Sequence, residues 1–293
     1  MSELIGVLFA SLFFGAFLGL MALGFTIAFT VSQVFNFAVG QFVILAGLLT
    51  VAVHFTGYTV ANAVIAVVLV TLMGAATYLV AIRWPESRGA KPLTLVIITF
   101  GVGIIVEQVV ERQWGSYGLS PPSLLSGHFT VDGIFVPYQG LLLLGVSMLV
   151  MGGLWLGQQR TNPGKQLVAL GTDRVSARYY GVNDLVMVTV AWALSFAALA
   201  IAGVLYSPLT GVSMSTDLTY GVDAFTAAIV GGLGNPGAAL GGGLFVALTI
   251  NVVGTYLTAT LQELVTFAFL FLFLVVRPAG LFGNSRELLG ARA

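Results

Sequence analysis

Two short polar segments hold the side chains best suited to contact a polar solute. The first is 31–41, VSQVFNFAVGQ, where Asn36, Phe37 and Gln41 stand between long hydrophobic runs. Amide side chains donate and accept hydrogen bonds without carrying a charge, so they can be buried between apolar helices. The segment therefore fits either the lining of a solute path or simple hydrogen bonding between helices, and the residues leave both uses open.

The second segment is 231–243, GGLGNPGAALGGG, which has seven glycines. Gly231, Gly232 and Asn235 lie at its start, and the proline that follows Asn235 cannot continue a helix. Glycine lets helices approach closely, and a break in a helix exposes backbone dipoles. We expect a short or broken helix beside a solute path here, with tight packing of small residues as the alternative.

A third polar segment, 160–184, has the sequence RTNPGKQLVALGTDRVSARYYGVND and holds four of the eleven basic residues. Its capping residues predict two short helices in succession. Arg174 and Arg178 are four residues apart, so we expect them on one face of the second helix. The predicted helix ends are marked by Asn162 with Pro163, by Gly171, by Thr172 or Asp173, and by Gly181. Two capped helices in a hydrophobic chain indicate a surface that contacts a cytoplasmic partner.

The composition is that of a membrane protein. Of 293 residues, 58% are hydrophobic and 8% are charged, whereas soluble domains carry about 25% charged residues. Eleven basic and eleven acidic residues cancel, which argues against a nucleic-acid partner, and the chain has no cysteine for thiol chemistry. No phosphate-binding loop is present, because Gln166 stands where Gly164-Lys165 would need a serine or threonine. We expect no catalytic residues, metal or cofactor in this chain.

Apolar stretches predict an all-α polytopic membrane protein with about eight to nine transmembrane helices, in a single domain over 1–293. The predicted spans are 4–29, 36–54, 60–82, 93–111, 137–157, 186–206, and up to three crossings within 224–277, where a re-entrant pair is the alternative. With three crossings, the carboxy terminus is cytoplasmic and ten of the eleven basic residues face the cytoplasm, Arg112 being the exception.

Five of the eleven acidic residues are expected at or near the outer surface. The predicted outer loops, 112–136 and 207–223, carry Asp132, Asp217 and Asp223. Glu107 and Glu263 are expected near the outer ends of their spans, where a charge costs less. The middle of each span is therefore predicted to be uncharged.

Several separated segments together resemble one family, the inner-membrane permeases of branched-chain amino-acid ABC transporters, often called LivH. FNFAVG at 35–40 is similar to the family's NFAHGE, and AAIVGGLGNPGAALGGG at 227–243 is similar to its A.VIGGLGS..GA..GG. The loop 160–183 resembles the family's cytoplasmic loop, and RPAGLFG at 277–283 resembles its usual ending. The family's His-Gly-Glu is Val39-Gly40-Gln41 here, and Val168 replaces a residue that is often basic.

The resemblance implies a multi-pass subunit of the bacterial inner membrane without enzymatic activity of its own. It implies a second homologous permease, two cytoplasmic ATPase subunits that use ATP, a periplasmic or extracellular solute-binding protein, and surrounding membrane lipid. The loop then docks into an ATPase, through a surface that we expect to include Gly164, Lys165, Ala169, Asp173, Arg174, Ala177, Arg178 and Gly181.

Two alternatives to amino-acid import stay open. Related permeases of the same architecture serve urea or short amides, and the departure at Gln41 bears on the substrate. A different class, an ion-coupled secondary transporter, needs a charged group in the middle of the membrane.

Overall fold

The computed structural model of the chain is a helical bundle with one small hairpin. It describes residues 2–52, 59–115, 119–131, 133–213, 216–277 and 280–282. The predicted outer position of Asp132 and the cytoplasmic position of Arg286 and Arg292 lie outside the described residues.

The predicted spans are confirmed as helices, and several are longer than the hydropathy suggested. In the first half these are α1 (Ser2–Ser32), α2 (Val39–Ala52), α3 (Thr59–Ala76), α4 (Arg83–Ser87) and α5 (Pro92–Trp114). A π-helical turn, Thr77–Ile82, joins α3 to α4 in one continuous rod. In the second half they are α6 (Tyr138–Arg160), α7 (Asn162–Thr172), α8 (Arg174–Tyr179), α9 (Asp184–Thr210), α10 (Asp217–Gly231), α11 (Ala239–Tyr256) and α12 (Ala259–Val276).

Six helical segments of the described chain are long and apolar enough to cross a membrane, and α2 and the main part of α12 are shorter apolar helices. The structure is thus that of an all-α polytopic membrane protein. One addition to that prediction is an antiparallel hairpin in the 112–136 loop, formed by β1 (His128–Val131) and β2 (Ile134–Pro137).

Successive helices run in alternating directions between two ends of the molecule. We call the end that holds the segment 160–184 the loop end, and the opposite end the far end. Helix α1 runs toward the loop end and lies antiparallel to α11, because Gly15 faces Leu244 and Gly19 faces Leu240. The chain after α12 returns to the carboxy end of α10, where the Leu281 N–H donates to the Val230 carbonyl at 2.7 Å.

The basic residues follow this arrangement. Eight of the nine described basic residues lie at the loop end: Arg83, Arg88, Lys91, Arg160, Lys165, Arg174, Arg178 and Arg277. Arg112 lies in the last turn of α5, toward the far end. The described part of the chain thus has the one-sided charge distribution that the sequence predicted.

The second predicted outer loop is wrong in its bounds. Helix α9 continues to Thr210 and α10 already begins at Asp217, so only a short connection remains. Asp217 and Asp223 are each 6% exposed, buried in α10. Hydropathy missed this helix start because a helix that begins inside a bundle has a polar first turn, which resembles a loop in sequence.

Helix α2 also begins inside the bundle. Gln33 ends α1 with a left-handed backbone (φ 56), after which the chain runs back along α1 and Phe35 stacks on Phe29 with ring centroids 4.3 Å apart. Helix α2 then runs parallel to α9 toward the far end, since Gly203 faces Val43 and Gly47 faces Ser207.

The loop 160–184 forms the two predicted helices with one change of cap. Thr161, not Asn162, caps α7, and its Oγ1 accepts from the Gly164 N–H at 3.1 Å. Gly171 lies within α7 and does not end it. Asp173 caps α8 as predicted, accepting from the N–H groups of Val175 and Ser176 at 2.9 and 3.1 Å. Gly181 follows α8 with φ 83, a conformation that suits glycine.

The glycine-rich segment contains both a helix break and the tight packing of small residues. Its first half is a turn, since α10 ends at Gly231 and a 3₁₀ turn begins at Pro236. Its second half is tight packing: a Cβ added at Gly243 would lie 2.5 Å from the Gly19 nitrogen and 2.7 Å from the Gly15 carbonyl oxygen. Helices α1 and α11 therefore touch backbone to backbone.

We predict that Gly243→Ala destabilises the bundle, because the added methyl group meets backbone atoms that cannot move aside. Overpacking of this kind costs about 1–3 kcal/mol, which corresponds to roughly 5 °C in melting temperature for a protein of this size. Gly145→Ala on α6 is the matched control, since no atom lies within 4 Å of a Cβ there. Thermal unfolding in detergent measures both, and equal melting temperatures would contradict the close α1–α11 contact.

Candidate functional site

The segment before α2 is held by α5 and by its own amide. The Asn36 Oδ1 accepts from the Ala38 N–H at 3.1 Å, which caps the start of α2. The Phe37 N–H donates to Thr99 Oγ1 at 3.1 Å, and that hydroxyl lies 3.1 Å from the Phe35 carbonyl oxygen. Helix α5 therefore fixes the place where α2 begins.

The starts of α2 and α10 meet at a hydrogen bond. Gln41 Nε2 donates to Asp217 Oδ2 at 2.7 Å, and both residues are buried. The Leu218 N–H donates to Asp217 Oδ1 at 2.6 Å. The backbones also touch, because a Cβ at Gly40 would overlap the carbonyl of Asp217. We call Asn36, Gln41 and Asp217 the helix-start junction.

Two polar atoms at the helix-start junction lack a partner among the described residues. Asn36 Nδ2 and Gln41 Oε1 are buried and make no hydrogen bond, and Asn36 is 1% exposed. Buried polar groups are nearly always paired, so each exception calls for an explanation. One donor and one acceptor without a described partner thus lie near the start of α2.

Phe37 belongs to a layer of phenylalanines on the loop-end side of the junction. Its ring lies 6.4 Å from that of Phe25 and 5.8 Å from that of Phe225. Phe35 extends the layer, 6.0 Å from Phe25 and 5.7 Å from Phe225. The rings therefore pack the segment before α2 against α1 and α10.

Gly231, Gly232 and Asn235 lie apart from the junction, at the loop end. Gly231 and Gly232 are buried beside the returning tail, and a Cβ at Gly280 would lie 2.5 Å from the Gly232 nitrogen. Asn235 is exposed and its Oδ1 accepts from the Gly237 N–H at 3.1 Å. The structure therefore does not bring together the two halves of the predicted solute path.

The loop 160–184 is anchored by an ion-pair network. Arg174 Nη1 lies 2.6 Å from Glu86 Oε1 on α4, and Arg174 Nε lies 2.7 Å from Asp184 Oδ1 at the start of α9. Arg178 pairs with the other oxygen of Asp184. The two arginines share one face, as predicted. Arg174 on that face is half-buried against α4 and α9, whereas Arg178 stays largely exposed while it pairs with Asp184.

Hydrogen bonds within the loop and to its neighbours shift the pKa values of Arg174 and Asp173. Partial burial alone would lower the pKa of Arg174, but its bonds to Asp184 and Glu86 raise it above the ordinary value. The Ser176 hydroxyl, 2.5 Å from Asp173 Oδ2, holds the pKa of the Asp173 carboxyl below its ordinary value together with nearby backbone N–H groups. Both groups are charged at neutral pH.

The underside of the loop packs on two further spans. A Cβ at Gly164 would overlap the last turns of α6, and one at Gly171 would lie 2.6 Å from Thr30 Cγ2 on α1. Leu167, Leu170 and Ala177 are buried beneath the loop helices. Of the predicted surface, Gly164 and Ala177 therefore face inward, whereas Lys165, Ala169, Asp173, Arg178 and Gly181 are exposed.

The most exposed large hydrophobic side chains of the loop lie outside the surface predicted from the sequence. Tyr179 is 87% exposed and Tyr180 is 89% exposed, with Val175 at 63%. Val175 and Tyr179 are four residues apart and share a face of α8. The sequence signal for this surface is the pair of adjacent tyrosines within a polar segment, because Tyr is enriched at protein interfaces. We call Val175, Tyr179 and Tyr180 the loop patch.

Within the described ranges, no group of three or more histidine, aspartate or glutamate side chains is placed to hold a metal ion.

Curated relatives match most of the chain. The high-affinity branched-chain amino acid transport system permease protein LivH of Escherichia coli K12 is 28% identical over 288 residues, covering 92% of each protein. The corresponding BraD protein of Pseudomonas aeruginosa is 29% identical over 301 residues, again covering 92% of each. A probable LivH of Methanocaldococcus jannaschii is 25% identical over 263 residues, covering 86% of this chain and 82% of that protein.

A solved structure shares the fold. A chain of PsaBC from Streptococcus pneumoniae in complex with Fab aligns with a TM-score of 0.50 and 13% identity, covering 97% of this chain and 94% of that one. At this identity the likeness concerns the fold alone. The family described as the permease component of the branched-chain amino acid transport system matches residues 7–275, and the chain therefore belongs to this family of transport permeases.

Proposed function

We propose that the chain is the membrane-spanning subunit of an ATP-driven importer of branched-chain or related amino acids. The names of the relatives and the family description support this class of solute. Two cytoplasmic ATPases drive the importer, a second homologous permease completes the path, and a periplasmic or extracellular binding protein delivers the solute.

The observation that carries the proposal is the construction of the loop 160–184. It is folded against α1, α4, α6 and α9, and it exposes the loop patch at its surface. A rigid base with exposed tyrosines suits a contact with another protein, because buried tyrosines contribute much of the energy of interfaces. Force applied to this surface by an ATPase would reach four spans at once.

The orientation follows from charge. Eight described basic residues share the loop end, so we assign this end to the cytoplasm of a bacterial inner membrane. The tail at 280–282 lies at the same end, which supports a cytoplasmic carboxy terminus. The helix count supports nine membrane segments in one domain, with α2 and α10 each starting inside the bundle.

The solute path is assigned to the helix-start junction. Asn36 Nδ2 and Gln41 Oε1 offer a donor and an acceptor to a passing solute, and the free ends of two helix dipoles lie beside them. Phe37 and its neighbouring rings close the path on the cytoplasmic side. Gly231, Gly232 and Asn235 act at the cytoplasmic end of α10, where the solute leaves.

The first prediction tests the class of transporter. In proteoliposomes that contain the chain with its partner permease, ATPases and binding protein, leucine uptake should require ATP. It should also continue when a protonophore collapses the proton gradient. Inactivating the nucleotide site of the ATPases should abolish uptake. Uptake that persists without ATP hydrolysis but stops with protonophore would identify an ion-coupled transporter instead.

The second prediction tests the loop patch. Replacing Tyr179 and Tyr180 together by serine should reduce co-purification of the ATPases at least about tenfold, since truncating one interface tyrosine costs on the order of 1–2 kcal/mol. Tyr256→Ser is the matched control, because Tyr256 is 52% exposed and ends α11 at the far end. Unchanged ATPase retention in the double variant would exclude the patch as the contact.

The third prediction tests the helix-start junction. Gln41→Glu places two buried carboxyl groups at hydrogen-bond distance, so one must be protonated or repelled, and leucine uptake should fall at least about tenfold. Adding Asp217→Asn restores one carboxylate and one amide with their roles exchanged, and most of the uptake should return. If the double variant is no better than Gln41→Glu alone at equal membrane abundance, the hydrogen bond is not required.

A further inference from the structure

A cavity of 450 Å³ opens among α1, α9, α10, α11 and α12. Its walls come from the first half of α1 and α12 and from the last turns of α9 and α11, so it lies toward the far end, away from the loop. Pockets for small ligands usually measure roughly 300–1,000 Å³. The cavity is separate from the atoms of the helix-start junction, none of which lines it.

Two acidic side chains line the cavity. Asp223 of α10 and Glu263 of α12 both line it, and no lysine or arginine is among its lining residues. Asp223 is only 6% exposed. Thr266 on α12 is its hydrogen-bond neighbour and also donates to the Gln262 carbonyl at 3.1 Å. An acid buried in a membrane bundle without a basic partner is costly, and such residues mark ligand or ion pathways.

The amides of the cavity add two carbonyl acceptors, and each also keeps one N–H of its own. Asn251 Nδ2 donates to the Ala247 carbonyl at 2.9 Å, and Gln262 Nε2 donates to the Ile250 carbonyl at 3.2 Å. Both side chains therefore keep their carbonyl oxygens as acceptors. Together with two carboxylates, this set matches a ligand that brings several N–H donors.

Aromatic rings complete the cavity. The ring of Phe14 lies 5.8 Å from that of Tyr206 and 6.4 Å from that of Tyr220, and all three residues line the wall. Aromatic faces attract organic cations, with a gain of about 0.5–2 kcal/mol. Ile250 and Leu209 offer apolar surface beside them. A primary ammonium group with a short apolar substituent satisfies every part of this lining.

We propose that this far-end cavity binds the primary ammonium group of a small organic ligand. The assignment of the ligand as an amino acid on its way through the membrane rests on the proposed function. The cavity has acceptors for the ammonium end and no basic side chain for a carboxylate, so binding depends on the ammonium group.

The experiment uses the natural absence of cysteine from the chain. Thr219→Cys places a thiol on the cavity wall, four residues before Asp223 on α10. In right-side-out membranes containing the full transporter, it is labelled with a trimethylammonium methanethiosulfonate or with its sulfonate analogue. Phe135→Cys, on the hairpin of the same end and 69% exposed, is the reference thiol.

The ratio of cationic to anionic labelling rates should be at least about tenfold higher at Thr219→Cys than at the reference thiol, because carboxylates in a low-dielectric cleft concentrate cations. Adding Asp223→Asn or Glu263→Gln should lower that ratio at least threefold, by roughly 0.6 kcal/mol or more. Labelling of Phe135→Cys in the same backgrounds confirms that the variants are inserted.

Ligands then identify the group that is bound. Leucine and leucinol at 10 mM should each slow labelling of Thr219→Cys several-fold, whereas 4-methylpentanoate, which lacks the ammonium group, should have no effect. Equal rates for the two reagents, or equal protection by leucinol and 4-methylpentanoate, would overturn the proposal. Labelling needs neither ATP nor transport, so its failure is distinct from a failure of ATP-driven uptake.

Discussion

The hydrogen bond between Gln41 and Asp217 joins two helices that begin inside a hydrophobic bundle. The first turn of any helix has N–H groups without partners and a positive dipole end, and away from water these need an acceptor. Asp217 supplies one at the start of α10 and accepts from Gln41 at the start of α2. Asn36 caps α2 from the other side. Helix α10 starts here and runs to the loop end. Helix α11 then runs to the far end, and α12 returns the chain to the loop end.

This constraint explains which parts of the fold were predictable from the sequence. Long apolar runs identify spans because lipid requires them, and caps such as Asp173 identify helix starts from local chemistry. The start of α10 was not predictable by these means, since Asp217 in a polar turn resembles an outer loop until the bundle surrounds it. Arg174 gives a second example: its spacing from Arg178 was predictable, but its bonds to Glu86 and Asp184 join residues 88 and 10 positions away.

The ion pairs of Arg174 change the meaning of the loop charges. The positive-inside bias explains why arginines are present at this end, and pairing with Glu86 and Asp184 explains why Arg174 is directed toward α4 and α9. The large apolar side chains of the outward surface of α8 are those of Val175, Tyr179 and Tyr180. Helix α9 also carries Gly203 and Ser207, which face Val43 and Gly47 of α2. Helix α9 therefore contacts both the loop, through Asp184, and α2.

Tyr220 links the junction to the far-end cavity. It lines that cavity and also borders a void of 10 Å³ next to Ser207, whose Oγ has no hydrogen-bond partner among the described residues. That volume is about the size needed for one water molecule. Tyr206 stacks on Phe17 between the two spaces, with ring centroids 4.1 Å apart. Tyr220 is on α10, whose first residue, Asp217, accepts a hydrogen bond from Gln41. The same helix therefore carries part of the helix-start junction and part of the wall of the far-end cavity.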